Sequence, residues 1–154
     1  MTSNAFSIIN RHGDELFGDI HLPISGTSAP VVIICHGFKG FKDWGMFPYA
    51  AAALAEQGFA VIRFNFSLNG IEKDFQNFTA LDRFERNTVS RELDDLGDVI
   101  DAIAADMLPL GNADTSRLAV IGHSLGGGVV VIRTVEDERI RAVVSWAGVA
   151  DFDR

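Results

Sequence analysis

Cysteine is almost missing from this chain of 154 residues, with Cys35 standing alone. That excludes an intrachain disulfide and a zinc site built on several thiolates. Long apolar runs are missing as well: the longest stretch holds about seven residues, against the roughly 20 that a membrane-spanning helix needs. Met1 to Asn10 lacks the basic segment followed by an apolar one that marks a secretory signal. Internal repeats, low-complexity tracts and a domain linker are lacking too. Cations are few, with Lys plus Arg at 13 against Asp plus Glu at 21, a net charge of -8. A chain of that sign has no general attraction to phosphate backbones or anionic lipid. Nucleic acid and membrane are therefore not expected partners, and a reducing, cytoplasmic setting is expected.

What is present suits one globular domain over residues 1–154: hydrophobic residues make up 47% and charged residues 22%. Residues 5–9 and 16–22 alternate around Arg11-His12-Gly13-Asp14, which predicts a β-hairpin. Val31 to Cys35 and Leu118 to Ile121 are apolar runs of the kind that form strands buried on both faces, Ala60 to Phe66 reads as a further strand between them, and Ile140 to Trp146 as a final strand. A helix is predicted over 46–57, with Gly58 placed to stop it. Residues 71–88, with Phe75, Phe78 and Phe84, read as a long loop holding one short helix. Val89, Leu93, Leu96, Ile100, Ile103 and Met107 step by three or four, one apolar stripe of a long helix. Glu92, Asp94, Asp95, Asp98 and Asp101 lie mostly off that stripe and read as a solvated face rather than a metal site. Alternating strands and helices give an α/β class with a mostly parallel sheet.

Gly122-His123-Ser124-Leu125-Gly126 carries the chemistry. A strand ends at Ile121 and a helix-compatible segment follows Ser124, so the serine sits on a tight strand-to-helix turn. Glycines at 122 and 126 remove side chains that would collide there. The helix start behind Ser124 offers unpaired N–H groups and a favourable dipole to developing negative charge. A glycine turn needed only for packing is the plain alternative. A phosphate loop is a second one, but neither of the glycine-rich phosphate patterns occurs here. His36-Gly37-Phe38 closes an earlier buried strand, and a backbone N–H there could face a carbonyl held over Ser124.

These segments resemble the α/β-hydrolase superfamily, most closely bacterial dienelactone-hydrolase-like and prolyl-oligopeptidase-like esterases. The matching stretches are Val31 to Phe38, Ala60 to Phe66, Leu118 to Gly127 and Val143 to Val149. The resemblance implies an α/β-hydrolase-type, mostly parallel sheet with helices on both faces, lacking the last strands. It implies Ser124 as nucleophile, the Phe38 and Leu125 N–H groups as oxyanion donors, and a small-molecule carboxylic ester as substrate. A peptide or lactone is the less favoured substrate. No cofactor or metal is implied.

The chain departs from that pattern where the order serine, acid, histidine should be completed. Thirty residues follow Ser124 and none is histidine. His12 and His21 belong to the hairpin and are expected at the surface or edge. His36 is expected to support the oxyanion loop, and His123 to point away from Ser124. Asp151 is a candidate acid, although a loop or helix-cap role suits it too. The triad acid and histidine are expected on a further C-terminal segment, and these 154 residues alone are expected to be nearly inactive. Strand 140–146 would be a bare edge, covered by a C-terminal fragment of the same protein or by a second copy. A non-catalytic relative, binding or dimerising through that edge, is the alternative. A receptor in which Ser124 only hydrogen-bonds a ligand is a third.

Overall fold

A computed structural model describes residues 2–24, 28–72 and 77–152. Gly26 and Thr27, residues Lys73, Asp74 and Phe75 of the expected 71–88 loop, and Asp153 lie outside the described residues. Strands β1 (Thr2–Ile9) and β2 (Glu15–Leu22) form the expected hairpin, with Ile9 opposite Glu15. Asn10 closes its turn: the Asn10 side-chain oxygen accepts the His12 and Asp14 N–H groups at 3.0 and 2.8 Å. The chain continues through β3 (Pro30–Cys35), α1 (Phe47–Glu56), β4 (Ala60–Phe64), α2 (Leu81–Phe84) and α3 (Val89–Ala104). It ends in β5 (Asp114–His123), α4 (Leu125–Glu136) and β6 (Ile140–Trp146).

The six strands form one sheet in the order β1-β2-β4-β3-β5-β6. The β3–β4, β3–β5 and β5–β6 pairs are parallel, while β2 meets β4 antiparallel. Strand β3 shows why a continuous apolar run was needed. Its Val31, Ile33 and Cys35 enter one core with α3 and α4, and its Val32 and Ile34 enter a second core with α1. Side chains alternate across a strand, so a strand covered on both faces must be apolar at every position. Leu96, Val99, Ile100 and Ile103 of α3 are all buried, each contributing on the order of 1.5–3 kcal/mol by leaving water.

The order of the strands positions the site. From β3 the chain crosses through α1 to β4 on one side, and from β5 it crosses through α4 to β6 on the other. The connections leaving β3 and β5 thus diverge, and a crevice opens at the carboxyl ends of these two neighbours.

Four local expectations need correction. The fourth strand stops at Phe64, because the Phe66 N–H turns to His36 Nε2 at 3.2 Å instead of to a neighbouring strand. Helix α3 stops at Ala104, where Asp106 adopts φ 55°, a left-handed conformation no helix can continue through. Met107 is therefore off the stripe and 66% exposed. The acidic residues of α3 are not all solvated, since Glu92 and Asp95 are buried. His21 is buried as well, not a surface residue, because the Arg63 guanidinium packs against its Nε2 at 3.1–3.2 Å.

Candidate active site

Ser124 joins β5 to α4 with φ 55° and ψ −118°, a conformation that costs a non-glycine residue on the order of 1–3 kcal/mol. The surroundings hold it there. The Ser124 N–H donates to Trp146 O at 2.9 Å, and Ser124 O accepts the Val149 N–H at 3.0 Å. Both neighbours belong to β6 or the loop behind it. The turn is also as crowded as the glycine spacing predicted. A Cβ at Gly126 would lie 2.2 Å from His36 O, and one at Gly122 2.1 Å from Gly126 O.

The loop after β3 presses on this turn. A Cβ at Gly37 would lie 2.8 Å from His123 O, 3.0 Å from Ser124 Cβ and 3.5 Å from Leu125 N. The backbone leading into Phe38 therefore runs beside Ser124 and the first N–H of α4. Among the described residues, neither the Phe38 nor the Leu125 N–H has a backbone acceptor.

That loop is fastened from several directions. His36 is buried, and burial lowers its pKa to about 4, so the ring is neutral near pH 7. Its Nε2 accepts the Phe66 N–H, which leaves Nδ1 to donate to Gly37 O at 2.9 Å. Asn69 donates to Gly40 O at 3.2 Å, and the Lys42 N–H donates to Asn65 Oδ1 at 2.6 Å. Arg63 donates to Lys42 O at 2.5 Å and to Asp43 Oδ1 at 2.7 Å. Lys42 Nζ reaches Asp19 at 2.5 Å and Asp43 at 2.6 Å. This ionic cluster was overlooked in the sequence. Its one signal was Arg63, a charge inside a strand otherwise apolar from Ala60 to Phe64.

The four histidines hydrogen-bond or stack away from the Ser124 hydroxyl. His12 pairs with Asp94 at 2.8 Å, His21 meets Arg63, and His36 holds the loop. His123 turns toward α1, its ring centroid 6.0 Å from Phe47 and 6.5 Å from Trp44. Two cavities meet at Ser124. One of about 580 Å³ is lined by Phe38, Phe84, Leu125, Val149, Asp151 and Phe152 among others. The second, of about 300 Å³, lies between Phe38, Lys39, Trp44 and His123. Phe84 of the 71–88 loop lines the larger cavity, which Asp151 shares with Ser124. Asn87 at its rim was not anticipated; it donates to the buried Glu92 at 2.8 Å. Burial, with Asp95 nearby, raises the Glu92 pKa to about 7. Among the described residues no group of three or more His, Cys, Asp or Glu is arranged to hold a metal, and no helix is long and apolar enough to cross a membrane.

Comparison with known proteins adds independent observations. A family model described as alpha/beta hydrolase fold matches residues 30–153. A Fusarium protein named hydrolase LUC6 is 31% identical over 145 residues, covering 91% of this chain and 32% of that protein. The 20-hydroxy-prefusarin hydrolase FUS2 of Gibberella moniliformis is 30% identical over 155 residues, covering 98% of this chain and 35% of that protein. This chain thus spans about a third of the length of these two relatives. The ferulic acid-bound structure of Est1E from Butyrivibrio proteoclasticus superposes with a TM-score of 0.73 at 24% identity, covering 93% of this chain and 52% of that one.

Proposed function

This chain belongs to the alpha/beta hydrolase fold family, and from that premise we propose that it is the nucleophile-bearing part of a serine hydrolase acting on carboxylic esters. The observation that carries the reading is the Ser124 turn, held at φ 55° with the Gly37 backbone against it. Ser124 Oγ attacks the ester carbonyl carbon and its proton passes to a base. The carbonyl oxygen becomes an anion held by the Phe38 and Leu125 N–H groups. Collapse breaks the bond to the alkoxide, which leaves as alcohol after taking a proton, and water then hydrolyses the acyl-serine. Each oxyanion donor contributes roughly 10²–10³ in rate.

The proposed base is a histidine outside these 154 residues, a reading supported by the partners found for the four histidines here; Asp151, which lines the same cavity as Ser124, is the candidate acid. Without that base the hydroxyl stays protonated and only roughly 10³–10⁴ of catalysis over water is retained. Incubation with a fluorophosphonate, followed by peptide mapping, should place the adduct slowly on Ser124 and not in Ser124→Ala. Adduct at another serine, or none at Ser124 while circular dichroism shows the fold intact, overturns the assignment.

A second reading, a binding or dimerisation module, is favoured by one observation. β6 is the outer strand of the sheet, with Val143 39% and Val144 43% exposed. A C-terminal segment of the same protein, or a second copy, would cover it.

A further inference from the structure

The two cavities beside Ser124 differ in charge. The larger has Phe38, Phe84, Leu125 and Phe152 in its lining, and its charged lining residues, Glu85 and Asp151, are both acidic. The smaller has no acidic side chain in its lining, and Lys39 is its cation. Phe38 stands between them and lines both. Lys39 Nζ lies 5.7 Å from the centre of the Phe38 ring and 5.6 Å from that of Phe78. Aromatic faces hold an ammonium without neutralising it. Among the described residues, no carboxylate forms an ion pair with Lys39. In a molecule of net charge -8, an ammonium placed on aromatic rings beside the nucleophile is a local exception to the surrounding field. Trp44, half exposed, supplies a flat apolar wall to the same cavity.

Resting on the serine-hydrolase reading, we propose that the preferred esters join an apolar or aromatic acyl half, seated in the larger cavity, to an alcohol half that carries an anion. Lys39 receives that anion, and Trp44 stacks on the body of the alcohol. Glu85 in the lining of the larger cavity disfavours the reversed pose. Lys39 is thus a specificity residue and takes no part in bond making.

The test compares two isosteric esters, 3-(hexanoyloxy)benzoate and 3-(hexanoyloxy)benzamide, bound to the Ser124→Ala chain and followed by tryptophan fluorescence. In about 20 mM salt the benzoate should bind about fivefold more tightly, the scale of one partly exposed ion pair. The ratio should shrink by 0.5 M salt as screening sets in. It should fall to one or below in Lys39→Met and persist in Lys39→Arg. Lys39 is exposed, so neither substitution disturbs the core. A ratio of one in the unsubstituted Lys39 background, or a preference that survives Lys39→Met, overturns the proposal. Fluorophosphonate labelling of the native chain is read separately. Label without a benzoate preference sinks the ligand assignment alone. A Lys39-dependent preference without label supports the anion site and removes the nucleophile.

Discussion

Glu92 and His36 are two buried titratable groups with opposite effects on stability in one pH window. Glu92 ionises near 4.5 when unfolded and near 7 when folded. Between those values the folded chain binds more protons, so stability falls as pH rises, by about 3 kcal/mol over the full interval. His36 runs the other way. Its pKa is about 4 when folded and 6.5 when unfolded, so the unfolded chain binds more protons and stability rises with pH across that interval. Glu92→Gln should therefore be more stable than the native chain at pH 8, by up to about 3 kcal/mol, with the gain vanishing toward pH 4. Urea unfolding at both pH values checks this; a gain that does not change with pH would show that Glu92 is already ionised in the fold. Cys35, buried beside this acid, has its thiol pushed up and is inert.

Among the elements, the loop between β3 and α1 depends most on distant partners. Arg63 of β4 holds it through Lys42 O and Asp43, and Lys42 ties it to Asp19 of β2. Removing one member of a buried ionic cluster leaves the others uncompensated, at a cost of roughly 3–5 kcal/mol. Arg63→Met should therefore destabilise the chain by about 3 kcal/mol. It should also speed amide exchange in residues 37–46 more than in α3, where the apolar stripe is untouched. Denaturation and hydrogen exchange by mass spectrometry read both, and equal acceleration everywhere would mean that the cluster serves general stability and not the loop. Arg63 was visible as a letter in an apolar strand, but its partners come from two separate stretches of sequence, Asp19 to His21 and Lys42 to Asp43.

For the whole molecule the outer strand β6 matters most. Its far edge presents unpaired backbone groups next to exposed Val143 and Val144, a template for another strand. Sedimentation at tens of micromolar should show association of the native chain, and Val144→Lys, which charges that edge, should hold it monomeric. A native chain that stays monomeric would count against pairing between copies. The net charge of -8 opposes such association, so it should grow with salt.

Read by itself, the sequence determined the hairpin, the buried parallel strands, the divided core and the serine turn. Each is encoded locally, by period-2 alternation in the hairpin, by continuous apolar runs in the buried strands, by 3.6 patterning in the helices or by glycines flanking one serine. Tertiary structure alone decided the rest. It brought Gly37 against Ser124, because β3 and β5 are neighbours although far apart in sequence. It buried Asp95 and His21, because each found a partner from a distant stretch, Asn10 and Arg63 respectively, while Glu92 took Asn87 from the turn just before its own helix. A charged residue off an apolar stripe is solvated unless the fold supplies such a partner, and no periodicity within one segment records what a distant segment will supply.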